Sequence, residues 1–309
     1  MSDKPLIKLN PVAPGSRISI IAPASFARQE RVDLGLQGLR TLGYAPEFQQ
    51  NAQERGPLFF AGTAEQRVAD LHAAFADPES QLVMSLRGGY GSNYILPGLD
   101  LELIGRNPKP FFAYSDLTGV QLRMLDEVGL PVFHGPMAAA DFYLEDGVHL
   151  PSFQAALTGE TYSVGPDEGL RALKNGTTRG TLYGGCLSIL VSLLGTPWEP
   201  QTEGKLLFLE DTGAKPYQID RMLWQLRQAG KFDGVSGIVF GEMLDCASPG
   251  MPPEFLDQVI ATVFDDFEGP VAMGLRSGHV SRQNVTLVFG VNAELNLAAH
   301  EEPLLRVEL

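Results

Sequence analysis

The stretch KPFFAYSDLTG, residues 109–119, joins a run of apolar residues to a segment with the spacing of a helix. The apolar run predicts a buried strand. After the turn, the apolar positions recur along one helix face: Leu117, Val120, Met124, Leu125 and Val128. A strand that turns sharply into a helix can hold a nucleophilic serine in a cleft, and Ser115 stands at this corner. Serine and aspartate are also ordinary helix N-caps, so the stretch alone is compatible with both roles.

The same alternation of strand and helix patterns runs through the first half of the chain. Strands are predicted at residues 17–25, 81–86, 109–114 and 130–136, and helices at residues 28–42, 64–77 and 117–128. Apolar strands that alternate with amphipathic helices predict a parallel α/β sheet covered on both faces.

The second half has a different organisation. Residues 146–179 are rich in proline, glycine and polar residues, and we interpret them as the connection between two domains. Beyond them, GTLYGG at 180–185 leads into a predicted helix that runs through Leu194. Strands are predicted at residues 205–211 and 235–243, and helices around Met222, Leu223 and Leu226 and from Pro253 to Phe267. Short β-like pieces fill the last forty residues, so the pattern predicts a mixed α+β domain.

Composition narrows the class of protein. The 309 residues carry 23 basic and 37 acidic side chains, a net charge of −14, and no cluster of Lys and Arg, which disfavours nucleic acids and anionic membranes as partners. No apolar run approaches the ~20 residues that cross a bilayer, and the first residues lack the apolar core of a secretory signal, so we expect a cytoplasmic protein. The two cysteines, Cys186 and Cys246, lie far apart in sequence. We therefore expect no disulfide framework and no cysteine-rich zinc site.

Polar residues gather where the predicted strands end, which is where open α/β sheets bind ligands. These segments are RGGYGS at 87–92, YSD at 114–116, HGPM at 134–137, LEDTG at 209–213, GEM at 241–243 and RSGH at 276–279. RGGYGS lacks both the GxGxxG order of a dinucleotide loop and the lysine of a Walker loop. Its glycines could offer backbone N–H donors to an oxyanion, or form only a tight turn.

A serine nucleophile needs a base, and the chain has five histidines. His72 in a predicted surface helix, and His149 and His300 in polar stretches, are expected to be solvated. His279 and His134 both stand at predicted strand ends. His279 lies in a polar loop from which an imidazole could reach a cleft, whereas His134 could equally be a structural residue.

The base needs an acid that orients it. Glu210 ends the apolar run KLLFL, and Asp211 is its rival, because neighbouring strand residues point to opposite sides. Either carboxylate could instead cap a helix or a turn. Ser115, His279 and Glu210 form the candidate triad.

In this order and spacing, the motifs resemble the LD-carboxypeptidase family of serine peptidases, also called muramoyltetrapeptide carboxypeptidases, which includes the microcin C self-immunity hydrolases. The resemblance runs from about Ile18 to Glu294. It is carried by IAPAS at 21–25, SLRGGYGS at 85–92, YSDLT at 114–118, HGPM at 134–137, GG at 184–185, LFLEDTG at 207–213, IDRML at 219–223 and SGH at 277–279.

The resemblance implies roles for individual residues. Ser115 would be the nucleophile, His279 the base and Glu210 the acid that orients it. The backbone N–H of Asp116 and one from the Gly88–Gly89 turn would hold the oxyanion. Residues 1–145 would form a Rossmann-like domain that carries the serine, and residues 180–309 a domain that carries the other two residues, with the active site in the groove between them.

The resemblance also implies a reaction, the release of the terminal D-alanine from a murein tetrapeptide during peptidoglycan recycling, which needs no metal and no cofactor. It implies, too, that the enzyme is a homodimer. The free carboxylate of such a substrate calls for a cation, and Arg87 and Arg221 are the candidates. Two positions depart from the family pattern. Ala113 replaces a frequent glycine. Cys186 replaces the usual asparagine and so removes any hydrogen bond that the amide would make, and the apolar helix predicted after it suggests a small buried residue.

Two alternatives stay open. A self-immunity-type hydrolase would cleave a peptidyl-nucleotide conjugate. It would be favoured by an aromatic side chain in the second domain that can stack on adenine. Trp198 and Trp224 are the only tryptophans, and Trp224 lies in a predicted amphipathic helix, where we expect it to pack in the core. A non-catalytic muropeptide-binding protein would require Ser115 to be inert.

Overall fold

The computed structural model describes residues 4–247, 250–252 and 254–309. The strands are β1 Arg17–Ile21, β2 Ala45–Phe48, β3 Ser80–Ser85, β4 Phe111–Ala113, β5 Val132–His134, β6 Tyr162–Val164, β7 Arg171–Lys174, β8 Gly176–Cys186, β9 Lys205–Glu210, β10 Gly237–Gly241, β11 Val271–Leu275, β12 Leu287–Phe289, β13 Asn292–Leu297 and β14 Leu304–Val307. The α-helices are α1 Gln29–Thr41, α2 Ala64–Ala76, α3 Leu101–Arg106, α4 Thr118–Val128, α5 Leu150–Thr158, α6 Leu187–Ser192, α7 Pro216–Gln228 and α8 Phe255–Val263.

The chain folds into two compact units. The first extends to Glu160 and also includes Thr286–Gly290, and the second comprises Thr161–Val285 and Val291–Leu309. No helix in the described residues is both long enough and apolar enough to span a membrane.

A six-stranded sheet, with the order β12-β5-β4-β3-β1-β2, forms the centre of the first unit. Its strands β1 to β5 are all parallel, and β12 adds an antiparallel edge beside β5. The order β2-β1-β3-β4-β5 is that of a doubly wound sheet, in which the ligand crevice lies beyond the carboxyl ends of the strands next to the switch point between β1 and β3. The parallel α/β sheet expected for the first half of the chain is confirmed.

Burial explains why these segments form a parallel sheet. In β1, Ile18, Ile20 and Ile21 are fully buried, so both faces of the strand are covered. Helix α1 covers one face with residues spaced along a single stripe, and its Gly35 lies so close to a neighbouring segment that a methyl group there would be 1.9 Å from the carbonyl oxygen of Ala138. A glycine is therefore required for the helix to reach this depth.

An eight-stranded mixed sheet, with the order β6-β14-β13-β8-β9-β10-β11-β7, forms the second unit. Its central strands β8, β9, β10 and β11 are parallel, and antiparallel strands flank them on both sides. Cys186 at the end of β8 is paired in register with Glu210 at the end of β9. The mixed α+β character expected for the second half is thus observed.

The structure differs from the sequence-based boundaries in three places. Residues 146–179, expected to connect the domains, contain helix α5 and strands β6 and β7, and they divide between the units at Glu160. Residues 286–290, expected in the second domain, belong to the first unit, because β12 pairs with β5. The helix expected from Pro253 to Phe267 is shorter, Phe255–Val263, and Pro253 lies outside the described residues.

The tight packing of α1 leads to a first prediction. Gly35→Ala would gain about 0.5–1 kcal/mol of helix propensity, but overpacking against a backbone carbonyl costs about 1–3 kcal/mol or more. We expect the variant to melt at a lower temperature than the wild type, as measured by circular dichroism. Gln37→Ala on the exposed side of the same helix is the control and should leave the melting temperature nearly unchanged. A Gly35→Ala protein as stable as the wild type would contradict this packing.

Candidate active site

Ser115 occupies a strained corner between strand β4 and helix α4. Tyr114 continues the extended conformation, and Ser115 then takes a φ of +66°, which a residue with a side chain rarely adopts. A single 3₁₀ turn, Ser115–Leu117, leads into α4, and the Thr118 hydroxyl donates to the Ser115 carbonyl oxygen at 2.8 Å. Such strain costs about 1–3 kcal/mol and persists only where the surrounding structure enforces it. This strand–turn–helix geometry is typical of a presented nucleophile.

The glycine turn, residues 87–91, lies directly against this serine. A methyl group on Gly88 would be 2.8 Å from Ser115 Cβ and 3.1 Å from Ser115 Oγ. Gly89 has a φ of +108°, and a methyl group there would be 2.6 Å from the Ser25 hydroxyl oxygen. A side chain at position 88 would not fit against Ser115, and one at position 89 would collide with Ser25, so both glycines are needed for this turn.

Buried serines hold the carbonyl groups of the glycine turn. Three bonds do this: Ser85 Oγ donates to Arg87 O at 3.0 Å, Ser25 N donates to Gly88 O at 3.3 Å, and Ser25 Oγ donates to Tyr90 O at 3.4 Å. The Tyr90 N–H in turn donates to Ser25 Oγ at 3.0 Å. Within the described part of the chain, the N–H groups of Gly88 and Gly89 donate to no other group. Gly88 is buried and Gly89 is exposed, and N–H groups that the fold does not use are candidates for holding an oxyanion.

Asp116 is tied to the residue that follows the glycine turn. The Ser92 N–H donates to Asp116 Oδ2 at 2.7 Å, and the Ser92 hydroxyl donates to the Asp116 carbonyl oxygen. Burial raises the pKa of Asp116, while the bonds from Ser92 and the charge of Arg67 act in the opposite direction. The Asp116 N–H lies in the first turn of a helix, where N–H groups have no partner within the helix. It is therefore a further donor close to Ser115.

The second unit places a histidine on a buried glutamate. His279 Nδ1 lies 2.8 Å from Glu210 Oε2, and the backbone N–H of His279 donates to the same oxygen at 3.0 Å. Glu210 is the last residue of β9 and is fully buried. Because a carboxylate only accepts, Nδ1 carries the proton of the neutral imidazole, which leaves the lone pair of Nε2 available as a base.

Two glycines and an amide fix the position of this pair. A methyl group on Gly278 would be 2.6 Å from Glu210 Cδ, and one on Gly241 would be 2.7 Å from Glu210 Cβ. The Asn284 side chain brackets Gly278, accepting from its N–H at 3.0 Å and donating to its carbonyl at 3.1 Å. The loop that carries His279 is thus held at the sheet end by the same contacts that enclose the carboxylate.

Asp211, the rival acid, has a different task. Its carboxylate accepts from the N–H of Ser188 at 2.8 Å and from that of Thr212 at 2.8 Å, so it caps the start of α6 and shapes the turn after β9. Burial raises the pKa of Asp211. Of the two acids that the sequence left open, Glu210 is the one that contacts His279.

The remaining histidines lie elsewhere. His134 is fully buried in β5, with its ring between those of Tyr114 and Phe289, at 5.8 and 5.2 Å. The expectation that His72 and His149 are merely solvated is wrong. His72 Nε2 accepts from the Asp100 N–H at 2.8 Å, and His149 caps the start of α5 through Ser152. Both side chains are partly buried because they join neighbouring segments of the fold.

Neither thiol has the properties of a nucleophile. Cys186 is 4% exposed and Cys246 is fully buried. Burial raises the pKa of the Cys186 thiol well above its ordinary value and that of Cys246 to about 11. Such thiols are inert. Among the described residues, no group of His, Cys, Asp and Glu side chains is arranged to hold a metal ion.

The two arginines singled out as carboxylate ligands differ in their surroundings. Arg87, the first residue of the glycine turn, is half-buried, and its side chain makes no hydrogen bond or ion pair with any described residue. Burial and the nearby charges of Arg31 and Arg28 lower its pKa. Arg221 is exposed on α7, with its guanidinium 5.1 Å above the ring of Tyr217.

Trp224 does not pack in the core, contrary to the expectation from its helix. It is 42% exposed, and the guanidinium of Arg227 lies 5.3 Å from its ring centre. The buried stripe of α7 is Ile219, Leu223 and Leu226. Trp224 follows Leu223 by one residue, about 100° around the helix, and so falls outside that stripe.

Sequence reasoning missed several residues that shape the site. These are Ser25, Arg67, Ser92 and Asn284, which hold the loops around Ser115 and His279. For Arg67 a signal existed. It precedes Leu71 by four residues and Phe75 by eight, so an arginine stands on the apolar stripe of α2.

The doubly wound sheet of the first unit and the mixed sheet of the second define a two-domain α/β class of protein. Within this class, residues 18–135 match the model of the LD-carboxypeptidase N-terminal domain, and residues 179–295 match that of the LD-carboxypeptidase C-terminal domain. The chain belongs to the LD-carboxypeptidase family, a family of serine-type carboxypeptidases.

Relatives and solved structures agree with this assignment. The chain is 37% identical to a probable murein peptide carboxypeptidase of Bacillus subtilis, over 92% of this chain and 90% of the relative. The structure of a muramoyltetrapeptide carboxypeptidase from Oxalobacter formigenes is similar, with a TM-score of 0.82, 28% identity, and coverage of 95% of this chain and 99% of the other. An MccF-like protein from Bacillus anthracis has a TM-score of 0.87 at 26% identity, covering 97% and 98%, where MccF denotes the microcin C7 self immunity protein.

Proposed function

We propose that the protein is a serine LD-carboxypeptidase that releases the terminal D-alanine from murein tetrapeptides, with Ser115 as nucleophile, His279 as base and Glu210 as the acid that orients it. The observation that carries the proposal is the left-handed Ser115 packed against Gly88, in a turn where the N–H groups of Gly88 and Gly89 donate to no described residue. The names of the relatives support the substrate class.

The proposed reaction begins with acylation and requires His279 to reach Ser115. His279 Nε2 takes the proton from Ser115 Oγ, which attacks the carbonyl carbon between the L-centre of the diamino acid and D-alanine. The carbonyl oxygen becomes an oxyanion, held by N–H groups of the Gly88–Gly89 turn and of Asp116. The imidazolium, stabilised by Glu210, then donates its proton to the alanine nitrogen as the C–N bond breaks.

Deacylation follows the same route with water. His279 takes a proton from a water molecule, whose oxygen attacks the acyl-serine, and the tetrahedral oxyanion uses the same donors. Collapse of this intermediate returns the proton to Ser115 Oγ and releases the tripeptide product. In this proposal the enzyme acts in the cytoplasm on recycled wall fragments, and it forms a homodimer. Analytical ultracentrifugation would measure the mass of the dimer.

The direct test is D-alanine release from a disaccharide tetrapeptide, followed by mass spectrometry. We expect release by the wild type and a loss of at least about 10³-fold in Ser115→Ala, because the nucleophile and base act as a unit. A fluorophosphonate probe should label the wild type at Ser115. Equal release by both proteins would exclude Ser115, and a wild type that binds muropeptide without turnover or labelling would indicate a binding protein.

The two neighbouring acids provide a matched pair of variants. Glu210→Gln replaces the acceptor of the His279 Nδ1 proton by an amide that can also donate, so we expect kcat to fall about 10³- to 10⁴-fold. Asp211→Asn removes a buried charge that only caps α6, and kcat should fall less than about tenfold. A larger loss of kcat in Asp211→Asn than in Glu210→Gln would contradict the assignment of the acid.

Arg87 is the better candidate for the free carboxylate of the substrate. Its half-buried guanidinium belongs to the glycine turn and has no acidic partner among the described residues, whereas Arg221 is exposed and stacked on Tyr217. A half-buried cation with only like charges nearby favours an anionic ligand.

Substitution of each arginine separates the two candidates. Hydrogen bonds to charged groups contribute about 1.5–3 kcal/mol. Arg87→Gln should therefore raise KM about 10- to 100-fold for the tetrapeptide with a free C-terminal carboxylate, the free acid. It should also abolish the preference for the free acid over the C-terminal amide. Arg221→Gln should leave both quantities nearly unchanged, and the reverse pattern would move the carboxylate to Arg221.

A second candidate activity is hydrolysis of an aminoacyl-nucleotide conjugate. The exposed ring of Trp224 in the second unit could stack on a base, and the likeness to an MccF-like protein supports this activity as well. Incubation with glutamyl sulfamoyl adenosine tests it, with release of glutamate as the readout. Release of glutamate without release of D-alanine from the tetrapeptide would favour this candidate over the first.

A further inference from the structure

A buried arginine, Arg67, lies behind the glycine turn that borders Ser115. It projects from α2 and is 2% exposed. Its Nη1 donates to the carbonyl oxygens of Gly91 at 2.8 Å and Pro23 at 2.9 Å, and its Nε donates to that of Thr63 at 3.3 Å. One guanidinium thus joins the start of α2 to the loops that follow β1 and β3.

The contacts of Arg67 indicate that it fixes the positions of these loops. Arg67 forms no ion pair with any described residue, since its polar contacts are carbonyl groups and the ring of Phe60 lies 4.9 Å from its guanidinium carbon. Burial lowers the pKa of Arg67, and the charge of Asp116 partly offsets this. Burying an ion costs several kcal/mol, and apolar residues of similar volume often stabilise a fold as well or better. A guanidinium, with several N–H donors in a fixed planar arrangement, can bond the carbonyl groups of three segments at once and so fix their relative positions.

Arg67 contacts the segment that links the two groups of oxyanion donors, the Gly88–Gly89 turn and Asp116. Gly91 ends the glycine turn with a φ of +111°, and a methyl group there would be 2.5 Å from the Phe60 ring and 3.2 Å from Arg67 Nη1. The next residue, Ser92, holds both the carboxylate and the carbonyl group of Asp116. Arg67 thus holds Gly91, which lies between the Gly88–Gly89 turn and Ser92, the residue that bonds Asp116.

Resting on the proposed function, we propose that Arg67 is a positioning residue that fixes the separation between the N–H groups of the Gly88–Gly89 turn and that of Asp116. It acts through the Gly91 carbonyl group and through Ser92, and it does not touch the substrate. Both donors must meet one developing oxyanion, so a shift of either weakens the bonds formed in the transition state and leaves ground-state binding unchanged.

The expected effect is a loss of kcat without a loss of substrate affinity. Removing one oxyanion donor costs about 10²- to 10³-fold in turnover, so Arg67→Met should lower kcat about 100-fold with KM within about threefold. Arg67→Lys keeps the charge and can reach one carbonyl group but not several. Its kcat should therefore lie between those of the wild type and Arg67→Met, about tenfold below wild type.

Lys109 provides a matched control in the same unit. It is also a buried cation that bonds only carbonyl groups, with Nζ donating to Ala74 O at 3.1 Å and to Asp77 O. It precedes β4 and so lies at the amino end of the sheet, away from the strand ends that carry Ser115. Lys109→Met should lower the melting temperature and leave kcat within about threefold of wild type.

The experiment measures kcat and KM for D-alanine release, the melting temperature, and the rate at which a fluorophosphonate labels Ser115. A selective loss of kcat and of labelling rate in Arg67→Met, partly restored in Arg67→Lys, is the expected result. A change in KM alone, or a loss of kcat no greater than in Lys109→Met, would overturn the proposal. If Arg67→Met does not fold, a wild-type kcat in Arg67→Lys would overturn it.

The labelling rate separates this proposal from the proposed function. A wild type that reacts with the fluorophosphonate but leaves the tetrapeptide intact would refute the substrate assignment, and the Arg67 variants would still be ranked by their labelling rates. A wild type that neither reacts with the probe nor cleaves the peptide would overturn both.

Discussion

The close approach of the Gly88 backbone to Ser115 is the constraint on which the site in the first unit depends. No side chain fits between them, and the serine is held in a left-handed conformation that its neighbours must stabilise. The parallel sheet makes this approach possible, because the carboxyl ends of β3 and β4 lie side by side. Buried hydroxyl groups bond the carbonyl groups of Arg87 and Tyr90 in the turn, while the N–H groups of Gly88 and Gly89 donate to no described residue and are the candidates for a ligand.

In the second unit, a buried acid holds the position of the histidine. Glu210 is fully buried at the end of a strand, where two glycines admit its carboxylate and two donors of His279 meet one oxygen. A carboxylate in such a place orients the imidazole strongly, because hydrogen bonds strengthen where water is excluded. The neighbouring Asp211 uses the same strand end for a helix cap, so two adjacent acids differ in role through strand alternation.

The sequence allowed the main strands and helices, the strand-end position of Ser115 and the candidate acids to be predicted, because apolar periodicity and turn residues are local signals. It did not reveal that β12 returns to the first sheet, since pairing with β5 depends on contacts between residues far apart in the chain. The exposure of Trp224 was missed because an amphipathic pattern fixes the buried stripe only to within about one residue, or 100°. The place of Arg67 on the apolar stripe of α2 was visible in the sequence, but its contacts could not be predicted, because its partners are backbone carbonyl groups, which leave no pattern in the sequence.

In the proposed mechanism Ser115 carries the acyl group during turnover, and a rapid-quench experiment can detect this acyl-enzyme. Enzyme mixed with excess disaccharide tetrapeptide is quenched in acid within a single turnover, digested, and mapped by mass spectrometry. We expect the peptide containing Ser115 to carry the disaccharide tripeptide acyl group while D-alanine is already released. Release of D-alanine with the acyl group on another residue, or with no acylated residue in the first turnover, would contradict it.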